Sequence, residues 1–133
     1  MSLIMFHQSL ADRLGLNLTD YKVMSIIGDG VTAGTIAEIT GLSSGMVTTV
    51  VDRLEKKSYV YRDKDAKDRR KVIIKLNADV VASGIDPLFQ SFGQEMAALF
   101  GKYDAQELAV IEDFLQNSLA VFRKETLKMR ESQ

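Results

Sequence analysis

At 133 residues, 46% hydrophobic and 26% charged, the chain suits one globular domain with a real core. The absence of cysteine excludes disulfides, thiol redox sensing and cysteine-ligated zinc, and no apolar run reaches the ~20 residues of a membrane span. A net charge of −1 conceals an asymmetry: residues 53–75 hold ten Lys/Arg against four Asp/Glu, and the rest of the chain is acidic, a distribution that orients a protein toward a polyanion.

The start, MSLIMFHQSL, lacks a basic n-region and a small-residue cleavage site, so no signal peptide and a cytoplasmic location are expected. Leu3, Phe6, Leu10 and Leu14 recur at helical spacing, and Gly15 is placed to stop that helix. In LNLTDYKVMSIIGDG, Thr19 is a candidate cap for a mostly buried helix carrying Tyr21, Val23, Met24, Ile26 and Ile27, ended by Gly28 and Gly30. Thr32 is the natural cap of the next helix, whose apolar face is Ile36, Ala37 and Ile39, and Gly41 turns the chain. Ser43 or Ser44 then caps a helix with Val47, Val50, Val51 and Leu54 on one face. Two short helices joined by a short glycine-containing turn are the signature of a helix-turn-helix.

The period then changes from helical to alternating. YVYRD and KVIIKLN flank DKDAKDRRK, which packs three aspartates and five Lys/Arg into residues 63–71. Taken alone, that stretch is either a solvated loop or a finger holding arginines against phosphates. Its place between two β-runs, directly after a helix-turn-helix, makes it the tip of a wing. Asp65 and Asp68 are expected to shape the loop by accepting hydrogen bonds from turn amides or from the arginines.

Beyond Asn77 the pattern is helical again. At Pro87, either a helix restarts with Asp86 as its cap or a longer helix kinks. Asp104 and Glu107 form a capping box ahead of a helix of about 25 residues. That helix carries two apolar stripes, Leu108, Ile111, Leu115, Leu119 and Phe122 on one and Val110, Phe114 and Val121 on the other. One stripe suffices for a core, so the second points to a partner.

LNLTDYKVMSII, TAGTIAEITGLSSGMVTTVVDRLEKKSYV and YRDKDAKDRRKVIIKLN resemble, in order and spacing, the winged helix-turn-helix core of the MarR family of bacterial transcription regulators. The resemblance covers residues 16 to about 77. It implies a mainly α fold with a small β-hairpin, a winged helix-turn-helix over 16–77 with its wing at 59–77, flanked by dimerisation helices at 1–15 and 86–130 of a single 1–133 domain. It further implies a homodimer that binds double-stranded DNA at a palindromic operator, acts as a repressor, and is released by a small aromatic or anionic effector. No cofactor, no metal and no membrane partner are implied.

The positions matching the family's groove-facing set are Ser44, Gly45, Met46, Thr48 and Thr49, and Arg69 and Arg70 match its wing-tip arginines. Thr32, Ser43, Arg53 and Lys71 complete the DNA-contacting set. Arg53 is open to two readings, a phosphate contact or a pair with Asp52, Glu55 or a neighbouring element. Three departures stand out: many relatives carry Arg at Thr49 and Arg or a larger polar residue near Ser44, and Gly45 is an unusual choice inside a helix. In some relatives an Asp at Ser43 tethers the wing arginine, an ion pair that serine cannot make. With short neutral side chains here, bidentate arginine–guanine contacts are missing, so A/T-leaning or shape-assisted readout is expected, with affinity resting on the wing.

An enzyme is not expected. His7 is the sole histidine, no Ser-His-Asp set can be assembled around it, and GDGVTAG lacks the lysine and strand–loop–helix context of a phosphate-binding loop. The alternative reading is a winged helix used for protein–protein contact without DNA.

Overall fold

The computed structural model describes residues 2–132. Seven α-helices and one hairpin follow in chain order: α1 (Leu3–Arg13), α2 (Leu18–Ser25), α3 (Ala33–Thr40), α4 (Ser44–Lys56), β1 (Val60–Lys64), β2 (Val72–Leu76), α5 (Ala78–Val80), α6 (Asp86–Phe100) and α7 (Ala105–Glu131). The chain forms two compact units, one ending at Phe89 and the other beginning at Gln90, so that the boundary falls inside α6.

Among the described residues, every buried side chain lies in the first unit. The alternation of apolar and polar residues on α4 buries Val47, Val50, Val51 and Leu54, which meet Val23, Met24 and Ile27 from α2 and its following loop, Ile36 from α3, and Val60 and Ile74 from the hairpin. Leu10, Ala11 and Leu14 bring α1 into the same cluster. Leu3 stays exposed, and so does Ile39, which the sequence pattern had placed on the apolar face of α3. With only eight residues, α3 needs one fully buried anchor, and Ile36 supplies it.

Side chains cap the helix starts. Asn17, not Thr19, caps α2 by accepting the Asp20 N–H at 2.7 Å; Thr19 lies inside the helix. Thr32 caps α3 and Ser43 caps α4, each accepting an N–H three residues on. Between them, Gly41 adopts left-handed φ 76°, and the turn of the helix-turn-helix spans 41–43.

The hairpin is antiparallel, with Val60 across from Leu76, Arg62 across from Ile74 and Lys64 across from Val72. It gains a third short member that the sequence did not announce. Val31 exchanges both backbone hydrogen bonds with Ile74, at 2.7 and 3.0 Å. The neighbouring Gly30 makes this approach feasible: at φ 141°, a Cβ there would stand 2.8 Å from Ile73 Cγ2.

At Pro87 the helix does not restart; of the two readings, the structure has the longer helix that runs on through the proline. Asp86 has helical φ/ψ of −55° and −44° and is not a cap. Instead residues 81–85 form one π-helical turn between α5 and α6, with the Asp86 N–H reaching back to Val81 C=O. The widened turn absorbs the carbonyl that the proline ring would otherwise meet and that its missing N–H leaves unbonded.

In the second unit, the capping box closes at the start of α7, with Glu107 N–H on Asp104 Oδ1 at 2.8 Å and Asp104 N–H on Glu107 Oε1 at 3.0 Å. No described residue of this unit is buried. Much of both stripes of α7 faces outward: Val110, Phe114, Leu119 and Phe122 are each about 70% exposed, whereas Leu108 and Ile111 are half-buried.

The end of α4 is closed by an unusual residue. Ser58 takes left-handed φ 64°, its N–H bonds Glu55 C=O at 2.9 Å, and Tyr59 N–H bonds Leu54 C=O at 3.0 Å. Glycine ordinarily fills this position in such a C-terminal motif. Ser58→Gly is therefore expected to stabilise the protein by about 0.5–1 kcal/mol, read as a higher urea midpoint at unchanged m-value.

Candidate nucleic-acid interface

The burial of the valine face of α4 dictates what its other face offers. Ser44, Gly45, Met46, Thr48 and Thr49 are all exposed. The Thr48 hydroxyl donates to Ser44 C=O at 3.1 Å and the Thr49 hydroxyl to Gly45 C=O at 3.0 Å. With their protons turned back into the helix, these oxygens present lone pairs outward. They suit donor groups such as the exocyclic amines of adenine or cytosine, and their methyls suit thymine. A Cβ added at Gly45 would meet nothing within 4 Å, so packing within the chain does not require glycine there. Ser43 and Thr32 are committed to capping, and Thr32 Oγ1 also lies 3.0 Å from Thr35 Oγ1.

Arg53 is held by α2. Its Nε and Nη2 donate to the two carboxylate oxygens of Asp20 at 2.9 and 2.7 Å. Asp20 is only 2% exposed, and the fork on its two oxygens satisfies the buried charge. The hydrogen bond from the guanidinium to Asp20, followed by their attraction, raises the Arg53 pKa above its ordinary value. Of the two readings of this residue, the geometry realises a pair with a neighbouring element, though a different partner from Asp52 or Glu55.

Nearby bonds tie the same region of α4 to the α1–α2 loop. Lys57 Nζ donates to Gly15 C=O, and Tyr59 Oη donates to Leu14 C=O at 2.7 Å.

In the wing, the aspartates do shape the tip. Asp65 Oδ1 accepts the Lys67 N–H at 2.9 Å, and Asp68 Oδ1 accepts both the N–H and the Nε–H of Arg70 at 3.1 Å. Two backbone bonds, Asp65 N–H to Lys71 C=O and Lys71 N–H to Asp68 C=O, close the loop. Arg69, Arg70 and Lys71 are exposed, and the Arg70 side chain is 92% accessible. Asp63 links the two strands. The Lys64 N–H and then Lys75 Nζ hold its carboxyl below the ordinary 3.8. A depressed folded-state pKa makes this contribution present above that value and lost as pH falls below it.

The sequence reading passed over Arg62. Nη2 donates to Asp52 Oδ1 at 2.7 Å and Nη1 to Glu55 Oε1 at 3.0 Å, joining β1 to α4. The available signal was the spacing: Asp52 and Glu55 share one helix face, and alternation puts Arg62 on the Val60 side of β1.

Two cavities flank these elements. One of about 240 Å³ lies between α3, α4 and the hairpin, lined by Ala33, Thr48, Val51, Arg62, Val72 and Ile74. Another of about 260 Å³ lies between α1 and α2, lined by Ile4, His7, Leu18, Tyr21, Lys22 and Ser25. His7 Nδ1 stands 3.2 Å from Tyr21 Oη, and burial pushes the Tyr21 phenol above its ordinary 10.0. Among the described residues, no group of three or more His, Asp or Glu could hold a metal ion, and no helix is long and apolar enough to cross a membrane.

Two short helices, the second presenting a polar face, followed by a hairpin with a basic tip, define a winged helix-turn-helix protein. Residues 16–72 match the MarR family. The chain is 36% identical over 130 residues, 96% of its own length and 84% of the other's, to an uncharacterized HTH-type transcriptional regulator, YcgE, of Bacillus subtilis (strain 168). The chain belongs to the MarR family, whose members are transcriptional regulators rather than enzymes. Its fold is similar to that of a mutant MarR from E. coli complexed with operator DNA, with TM-score 0.52 and 25% identity over 88% of this chain and 91% of that one. It is also similar to a MepR mutant from S. aureus, with TM-score 0.67 and 18% identity over 87% and 86% of the two chains.

Proposed function

We propose that this chain is a sequence-specific DNA-binding regulator, a homodimeric repressor of a palindromic operator, released by a small aromatic or anionic ligand. One observation carries the reading: an exposed polar face on α4 stands beside a wing whose tip holds Arg69, Arg70 and Lys71 in solvent. Ser44, Met46, Thr48 and Thr49 face the bases, and Gly45 lets the helix start approach them closely. Arg69 and Arg70 take the neighbouring minor groove or backbone, where a narrow groove concentrates negative potential. Lys71 adds charge beside them. Ser43 and Thr32 act through the helix starts that they cap. Arg53 stays with Asp20 and contributes its field to the phosphates.

Residues 16–77 serve the DNA, and 1–15 and 86–130 serve dimerisation. The apolar stripes of α7 and the exposed Leu3, Ile4 and Met5 of α1 support that division, because a monomer rarely leaves so many large apolar side chains in water. The α1–α2 cavity supports a ligand with a flat apolar body and an anionic group, since its walls are largely apolar and Lys22 supplies a cation among its described lining residues.

Binding-site selection is expected to return A/T-rich positions opposite α4, where the Thr48 and Thr49 methyls and acceptors fit thymine and adenine; G·C pairs as the most constrained positions there would count against the A/T-leaning readout. In fluorescence anisotropy with duplex, Arg70→Ala should weaken binding to all sequences and lower the slope of log affinity against log salt by about 0.9. An unchanged slope would remove the wing from the interface, and salt-insensitive or absent binding by the parent would favour the protein–protein reading. A hydroxybenzoate added to the same complex should release the duplex, and should fail to do so in Lys22→Ala. Sedimentation at micromolar concentration should show a dimer, and a stable monomer would contradict the exposed-stripe argument.

A further inference from the structure

Arg62 occupies a position that strand geometry reserves for an apolar side chain. It sits across from Ile74 in the hairpin, on the face where Val60 and Ile74 are buried against the helices. Of the five residues of β1 only Val60 is buried, and Val72, toward the tip of β2, is 49% exposed. The outer half of the wing therefore has little apolar anchorage. The Arg62 fork reaches from it to the helices, one nitrogen on Asp52 and another on Glu55.

Asp52 and Glu55 are one turn apart, so each of two guanidinium nitrogens takes one carboxylate, where an ammonium would have to share a single nitrogen between them. Both carboxylates are substantially exposed, at 61% and 44% of their side chains, on the helix that faces a polyanion. By charge alone they oppose DNA binding. Their use lies in what they hold.

We propose that Arg62 is a positioning residue for DNA recognition: by bridging Asp52 and Glu55 it fixes the wing against α4. The spacing between the wing-tip arginines and the bases facing Thr48 and Thr49 then follows from this bridge. The tether that a Ser43 side chain cannot make is replaced by one rooted at the other end of α4. The proposal rests on the DNA-binding reading above.

Three variants test it: Arg62→Ala, Arg62→Lys, and the double variant Asp52→Asn with Glu55→Gln. Amide hydrogen exchange is followed in the free protein, and duplex binding is followed across a range of salt. Arg62→Ala and the double variant should both speed exchange at residues 63–72 several-fold, with α2 and α3 unchanged. Both should bind the selected duplex about three- to ten-fold more weakly, and Arg62→Lys should fall between them and the parent. The salt slope of Arg62→Ala should equal the parent's. A slope lower by about 0.9 would make Arg62 a phosphate contact and overturn the proposal. So would a double variant that binds as tightly as the parent or more tightly, as loss of two negative charges alone predicts. Unchanged wing exchange in either variant would overturn it as well. If the parent binds no duplex, the DNA reading fails first, and the exchange data separately show whether the bridge holds the wing.

Discussion

The burial of one face of α4 is the constraint on which the first unit depends. Val47, Val50, Val51 and Leu54 take α4 into the core from four positions, and α2, α3 and the hairpin pack around them. Valine has little rotamer freedom to lose in a helix, so this stripe fixes the rotation of α4 about its axis. Once that rotation is fixed, Ser44, Met46, Thr48 and Thr49 must face water, and the proposed reading face is set by what the opposite face buries.

Around that helix, charge makes the attachments that apolar packing leaves undone. Arg53 links the C-terminal half of α4 to α2 through a buried carboxylate, and Arg62 links the wing to the same half. Arg53, Arg62, Arg70 and Lys75, four of the cations that make residues 53–75 look like a DNA surface, have acidic partners in the protein. At the tip, Lys67, Arg69, Arg70 and Lys71 are exposed. A count of Lys and Arg overstates the charge offered to a polyanion whenever the basic residues have acidic partners in the fold.

The second unit has a different balance. Its capping box and its length suit a stable α7, yet much of its apolar stripes lies in water, because two helices alone cannot enclose them. These exposed apolar side chains are the reason the chain is proposed to act as a pair.

The sequence by itself determined most features that depend on neighbours along the chain, though not the left-handed Ser58 or the π-helical turn at 81–85. Helix spans follow the apolar period, Thr32, Ser43 and Asp104 cap because their side chains reach an N–H three residues on, and Asp65 and Asp68 fold the tip two residues on. Even the error at Asn17 was of this local kind, a choice between two competent caps two positions apart. Only the tertiary structure decided the contacts that cross between elements. The Arg53–Asp20 pair spans 33 residues, and the Val31–Ile74 bridge and the Arg62 fork likewise join separate segments. A charged residue carries no mark of its partner until folding brings the two faces together, and so the identity of the wing's anchor waited on the packed structure.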